Sequence, residues 1–358
     1  SGLAGIDLNM VQGAVIEGNR IGVGADGVTP LGNGSAWMAR QDGVLDAGIF
    51  LQSSDDVRIG GGEFGQGNVI SANGVGIRMM AAQVEHAQPK RLVIQGNVIG
   101  SNTWFRPELG NTRHGIWLQS VFEARVGGDG AGEGNLVVLN GGDGIRTTDA
   151  IGTDVEIRGN AIGTDAEGVL ELGNGGDGIH VTSRYHSTLG VATTIEDNTL
   201  AFNARNGVWI GNEDTTVNTS NYQPRDVELR ENRIYGNGAL GIDLRPVGVS
   251  ANDAADADIG ANEGQNFPVL TGVTITEGSA SITGTIDTLP LASVRIEVFA
   301  NRFGCPESGY GQGEQYVGAL DVTTDGDGHA AFEASLPFGE GWPRRFTATA
   351  TLTLLRTL

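Results

Sequence analysis

From residue 3 to about residue 245 the apolar positions recur in two short patterns rather than along a helical stripe. One is Gly-Ile/Val-x-apolar. It runs Gly5-Ile6-Asp7-Leu8, Gly48-Ile49-Phe50-Leu51, Gly76-Ile77-Arg78-Met79, Gly115-Ile116-Trp117-Leu118, Gly144-Ile145-Arg146-Thr147, Gly178-Ile179-His180-Val181, Gly207-Val208-Trp209-Ile210 and Gly241-Ile242-Asp243-Leu244. The other is an alternating run ending in Asn-x-apolar, as in "VIEGNRI", "LVIQGNVI", "VEIRGNAI", "TIEDNTL" and "VELRENRI". Alternation with a period of two predicts short strands with one buried face.

Two asparagine series set the register. The first is Asn19, Asn68, Asn97, Asn135, Asn160, Asn198 and Asn232; the second is Asn33, Asn73, Asn111, Asn140, Asn174, Asn203 and Asn237. The spacing from first to second is 14, 5, 14, 5, 14, 5 and 5 residues, so alternate coils take an insertion of nine (14 − 5) without losing the pattern. A stack of helices would change face on such an insertion. A coil of strands absorbs it at a turn. Asn also tolerates the bend between strands, and its amide can bond to the coils above and below. Seven such coils at ~4.8 Å each predict a rod on the order of 35 Å long.

Composition agrees. The 59 glycines imply many turns, and 39% hydrophobic residues argue against a disordered chain. A formal charge of −21 disfavours nucleic acid and anionic membrane surfaces. No stretch approaches the roughly 20 apolar residues of a membrane helix. The lone Cys305 says little about compartment. The repeat is already running at residue 3, so the chain is expected to start within a longer protein or after a removed leader, with a first rung that needs a cap.

The strings "NVIGSN…LGN…GI" and "VRIGG…GNVISANGVGI" resemble the bacterial right-handed parallel β-helix repeat proteins of the pectate-lyase-like superfamily, over about residues 3–245. The resemblance implies an all-β, right-handed parallel β-helix of about seven or eight coils over 1–250. Its members include polysaccharide lyases, glycosidases, epimerases and non-catalytic surface proteins. Residues 251–266, "ANDAADADIGANEGQN", read as an acidic linker. From 267 to 358, strand-like runs separated by turns predict a small antiparallel β-sandwich, similar to the Ig-like modules of extracellular proteins.

In Gly-Ile-x-apolar the Ile points in, so x points out. Down the stack, x is Asp7, Phe50, Arg78, Trp117, Arg146, His180, Trp209 and Asp243. Aromatic faces stack on sugars, and Arg and His supply directional hydrogen bonds, so this column predicts a glycan groove. Substrate-binding residues are then Arg78, Trp117, Trp209, Tyr185 from a longer loop, and Trp104 from the insertion "GSNTWFRPELGN". Asp143 and Asp177, both in "GGDGI", are candidates for a glycosidase acid–base pair; as Asp before Gly they also read as turn formers. Arg146 and His180 are the alternative catalysts, for β-elimination on a uronic acid polymer. Asp253, Asp256 and Asp258 could gather a structural Ca²⁺, or simply be a solvated linker, and no cofactor is otherwise required.

Two functions follow: a secreted, monomeric, polysaccharide-cleaving enzyme (hydrolase or lyase), or a non-catalytic surface, adhesion or carbohydrate-binding module. Either would meet a polysaccharide or cell-surface glycan outside the cell.

Overall fold

The computed structural model describes residues 4–33, 46–81, 90–149, 154–183, 193–212, 223–257, 259–302 and 309–352. It is a right-handed parallel β-helix followed by two small antiparallel sheets. The helix has three parallel sheets, of eight, seven and seven strands. Every Gly-Ile strand lies in the eight-stranded sheet, from Ile6–Asn9 to Ile242–Leu244.

Apolar residues from all three sheets fill one core, including Ile49, Ile77, Ile116, Ile145 and Ile179 of the first sheet, none exposed. The invariant spacing before these isoleucines has a steric cause. A Cβ on Gly144 would sit 2.7 Å from the Gly178 carbonyl oxygen and 2.8 Å from the Ile162 side chain, so no larger residue fits there.

Both asparagine series form vertical ladders. Each Asn amide donates from Nδ2 to Oδ1 of its counterpart one coil on, from Asn19 to Asn232 in the first series. The second series repeats this from Asn33 to Asn237. From Asn68 to Asn232 and from Asn73 to Asn237 these amides are buried, and a buried amide left unpaired costs about 1–3 kcal/mol, which is why the position admits so little else.

Residues 252–257 and 259–266 form a strap across the open end of the helix, with a short 3₁₀ turn at Ala254–Asp256 and a tight turn at Ala261–Gly264 in which Asn262 and Glu263 take positive φ. Ala261 is fully buried in the helix core, and Asn262 bonds to Val227 through both its side-chain oxygen and nitrogen. Beyond it, the sheets Val269–Thr276/Ser279–Asp287/His329–Pro337 and Gln315–Thr323/Ser293–Asn301/Arg345–Leu352 pack face to face. Glu297 of the second sheet accepts the backbone N–H of Glu231, and Arg295 pairs with Glu231 at 3.2 Å, which fixes the sandwich to the last coil.

Candidate functional site

The parallel register puts the x residues directly above one another. Asp7 pairs with Phe50, Phe50 with Arg78, Arg78 with Trp117, Trp117 with Arg146, Arg146 with His180, His180 with Trp209, and Trp209 with Asp243. Beside this column runs a second, formed by the residue before each glycine: Ala4, Ala47, Val75, His114, Asp143, Asp177, Asn206 and Leu240. Each following glycine donates to the carbonyl of the next member of this column, so its side chains also superpose.

The second column is a staircase of hydrogen bonds. The backbone N–H of Asp143 donates to His114 Nδ1 at 3.0 Å, and that of Asp177 to Asp143 Oδ1 at 3.0 Å. The N–H of Asn206 donates to Asp177 Oδ1 at 2.8 Å, and that of Leu240 to Asn206 Oδ1 at 3.0 Å. Here the later coil donates to the earlier side chain, the opposite polarity to the asparagine ladders.

The two columns are joined at Asp143. Its Oδ2 lies 3.2 Å from His180 Nδ1 and 3.3 Å from Arg146 Nη1. His180 Nε2 faces the Gly211 carbonyl at 3.3 Å. Asp177 Oδ1 also accepts the Asn206 amide, while its Oδ2, buried and without a hydrogen bond, lies 3.6 Å from Arg205. Asp143, Asp177 and His180 bring one potential ligand atom each to within 4.8 Å of one another.

Protonation follows from this packing. Burial acts to raise the Asp143 carboxyl, but the hydrogen bond and charge of His180, with His114 behind it, hold it below the usual carboxylate range. Asp177 is raised, chiefly by burial and then by the Asp143 charge. Burial pushes His114 down to about 4, so at neutral pH it is an uncharged acceptor, as its bond from Asp143 N–H requires. Asp243 is pushed up to about 6, first by burial and then by Asp177.

The expected open groove is corrected by burial. His180 is fully buried, Arg78 and Trp209 are 3% exposed, and Trp117 and Arg146 are half-buried. The aromatic faces that would receive a sugar are occupied by neighbours. Arg78 lies 4.2 Å above Trp117, which also donates to Thr148 Oγ1, and the His180 ring lies 4.2 Å from Trp209. The acid pair is likewise committed: three of its four carboxylate oxygens already accept hydrogen bonds from the protein. An acid–base pair for glycoside cleavage must instead flank a sugar with free oxygens.

Trp104 is different. It lies on another face, in the insertion of the third coil, and is 64% exposed. Asn102 braces its turn, accepting the Trp104 N–H and donating to the Gly27 carbonyl of the first insertion. Tyr185 and Asp258 lie outside the described residues. Of the other linker carboxylates, Asp256 accepts from Asn266 N–H and Thr288 Oγ1, and Asp253 from Ala257 N–H. Both serve the strap as acceptors of hydrogen bonds.

His114, Asn206 and Arg205 were missed as members of the cluster. The signal for His114 and Asn206 is in the sequence: the residues before glycine in consecutive coils are His, Asp, Asp and Asn. With this geometry in hand, residues 2–182 match the family described as "Periplasmic copper-binding protein (NosD)". No curated protein matches the chain.

Proposed function

The chain belongs to the NosD family, and from that premise we propose that it is a non-catalytic binding module acting outside the cytoplasm. The observation that carries this reading is the fate of Asp143 and Asp177. Both are buried and serve as rungs of the staircase, so neither is free to hand a proton to a substrate. The exposed Trp104 on its braced turn supports carbohydrate contact at that face, because a rigid aromatic platform stacks a sugar ring at little entropic cost.

The family description names copper, but Asp143, Asp177 and His180 do not fit a resident copper ion. Copper(II) sites favour open nitrogen and oxygen donors. Here both His180 nitrogens face oxygen acceptors, and only Asp177 Oδ2 lacks a hydrogen bond. The guanidiniums of Arg146 and Arg205 already match the two carboxylates in charge. A divalent cation would meet both at close range.

The test pairs product analysis with binding on a polysaccharide panel. Neither new reducing ends nor unsaturated uronate products are expected, while glycan binding should be lost in Trp104→Ala. Turnover abolished by Asp177→Asn would overturn the non-catalytic reading, and binding indifferent to Trp104→Ala would overturn the contact face.

A further inference from the structure

We infer that the glycan held at Trp104 is a neutral, linear chain, lying lengthwise in a trough over the third parallel sheet, between two rows of turn insertions. The inference rests on the carbohydrate reading of Trp104 and extends it to a substrate class and a path.

The three sheet faces of the β-helix present different surfaces. The Gly-Ile sheet is covered by its own stacked side chains. The second sheet carries ion pairs from coil to coil, Arg58 with Glu17, Arg125 with Glu156 and Arg158 with Glu196. The third, from Arg20–Ile21 to Arg233–Tyr235, turns an apolar row outward. Val69, Val98, Leu136 and Ala161 pair in register in consecutive coils, and each is half-exposed.

Walls flank that row because the insertions alternate. The first, third and fifth coils insert after the strand, within 22–33, 100–111 and 163–174; the second and fourth insert before it, within 61–68 and 128–135. Each wall is tied together along the rod. Asn102 reaches the Gly27 carbonyl, and a Cβ on Gly132 would sit 2.4 Å from the Gly62 carbonyl oxygen. Trp104 leans toward the floor. A Cβ on Gly27 would meet its Cζ3 at 3.9 Å and the Nε of Arg20, the first-coil member of the row, at 3.7 Å. The far end closes where Gly168 stands against Thr199 and accepts the Tyr235 hydroxyl.

The third-coil insertion also carries strain. Phe105 takes φ 54° at the turn position where the first and fifth insertions use Gly27 and Gly168, at 72° and 74°. A bulky residue is unfavourable in that conformation, and such strain collects at ligand contacts.

The shape of the trough selects its occupant. The floor strands, such as Val98–Ile99 and Leu136–Val137, are two residues long, roughly 7 Å. A helix, ~10 Å across with its side chains, is too wide to lie on them. An extended peptide is narrow enough but finds no partners. The floor has already committed its backbone donors to the coil before, Val98 to Asn68 and Leu136 to Asn97, so the peptide's own N–H and C=O groups would face valine and leucine unpaired. A sugar chain lays its C–H faces on apolar side chains and turns its hydroxyls sideways to the rims.

Charge narrows the class. Glu63, Glu167 and Glu171 are exposed on the insertions and have no ion pair among the described residues, while Arg106 is matched by Glu108 at 3.5 Å. Arg20, at the end of the row, donates to the Ala25 carbonyl. Rim carboxylates accept from sugar hydroxyls but repel a uronate or sulfated chain, as does the overall charge of −21. From Val69 to Ala161 the row spans three coil steps, roughly 14 Å, which a short run of sugars fills and a single ring does not.

The test titrates the full chain, by calorimetry, with neutral gluco-, xylo- and manno-oligosaccharides and with oligogalacturonates, from single sugars to chains longer than the trough. Affinity for a neutral series should climb with length and then level off, and oligogalacturonates should bind at least about tenfold more weakly. Val98→Glu and Leu136→Glu should each lower affinity about tenfold with an unchanged melting curve. Val98→Thr, which keeps the shape, should lower it about threefold. Binding lost in Trp104→Ala but indifferent to every floor variant would overturn the trough and leave the platform standing. Binding that depends on the floor and not on Trp104 would overturn the platform instead. Full affinity for a single sugar, equal affinity for oligogalacturonates, or displacement of the glycan by an alternating Val/Thr peptide would overturn the inferred path and class. Binding of no neutral series would overturn both readings.

Discussion

Gln312 of the sandwich stands above Asn237 where the next asparagine of the second ladder would stand. Its Oε1 accepts the backbone N–H of Asn237 at 3.0 Å and the side-chain amide at 3.2 Å, across 75 residues of sequence. Its own amide donates to the carbonyls of Asn237 and Ala239. The sandwich thus ends the ladder by imitating one more rung.

Gln312→Ala should therefore loosen the last coil specifically. Two donors of Asn237 lose their acceptor, for about 1–3 kcal/mol. Hydrogen exchange should rise at Asn237 and Gly238 before it rises at Asn140, and a uniform change along the ladder would contradict the capping role.

Within the ladders the centre should be the most sensitive. Asn135 donates to the Ile94 carbonyl and to Asn160, and accepts from both the backbone and side chain of Asn97. Asn135→Ala strands several buried groups at about 1–3 kcal/mol each. Denaturant unfolding should show a loss of several kcal/mol, against much less for Asn19→Ala in the more exposed first coil.

How far this molecule could be read from its residues depends on what each signal reports. The Gly-Ile and Asn positions were legible because a period of two and a fixed offset per coil translate directly into vertical stacking, as Arg146 over His180 illustrates. Burial of that column was not legible. Outward direction from a strand says nothing of whether Arg78 will lie across Trp117 and fill the surface a sugar would use. The Gln312 cap was hidden for another reason: it comes from a turn outside the repeat, so no periodicity points to it.

His114 makes the fold acid-sensitive. Its unfolded value is near 6.5 and its folded value about 4, so over that interval the unfolded chain takes up a proton that the native one refuses. Stability falls as pH drops through this window, by up to about 3 kcal/mol. His114→Asn keeps an acceptor for Asp143 N–H without the titration. The difference between variant and wild type should grow as pH falls, and a pH-independent difference would exclude His114 as the cause.

Asp243 acts in the opposite sense. Its folded value of about 6 lies above the ordinary 3.8, so the native state holds a proton that the unfolded state has released. Stability therefore falls as pH rises from about 4 to about 6 and stays lower beyond. Asp243→Asn retains the acceptor for Gly248 N–H and removes the buried charge. It should raise stability by about 1–3 kcal/mol at neutral pH and change little in acid, as thermal melts at the two pH values would report.

The sharpest division between an acid–base residue and a structural one lies at Asp143. A catalytic carboxylate can become an amide with the fold intact and activity gone. Here the amide would turn N–H groups, or a neutral oxygen, toward Arg146 and His180, and leave the half-buried Arg146 guanidinium without its anion. Removing one member of a buried pair costs about 3–5 kcal/mol, so Asp143→Asn should unfold at markedly lower denaturant. Arg146→Met in the same chain removes one stranded charge and should recover part of the loss, on the order of 1 kcal/mol, as a coupling in a double-mutant cycle. An Asp143→Asn protein with wild-type stability would mean that the carboxylate holds nothing together, and the case for a staircase built for structure would fail with it.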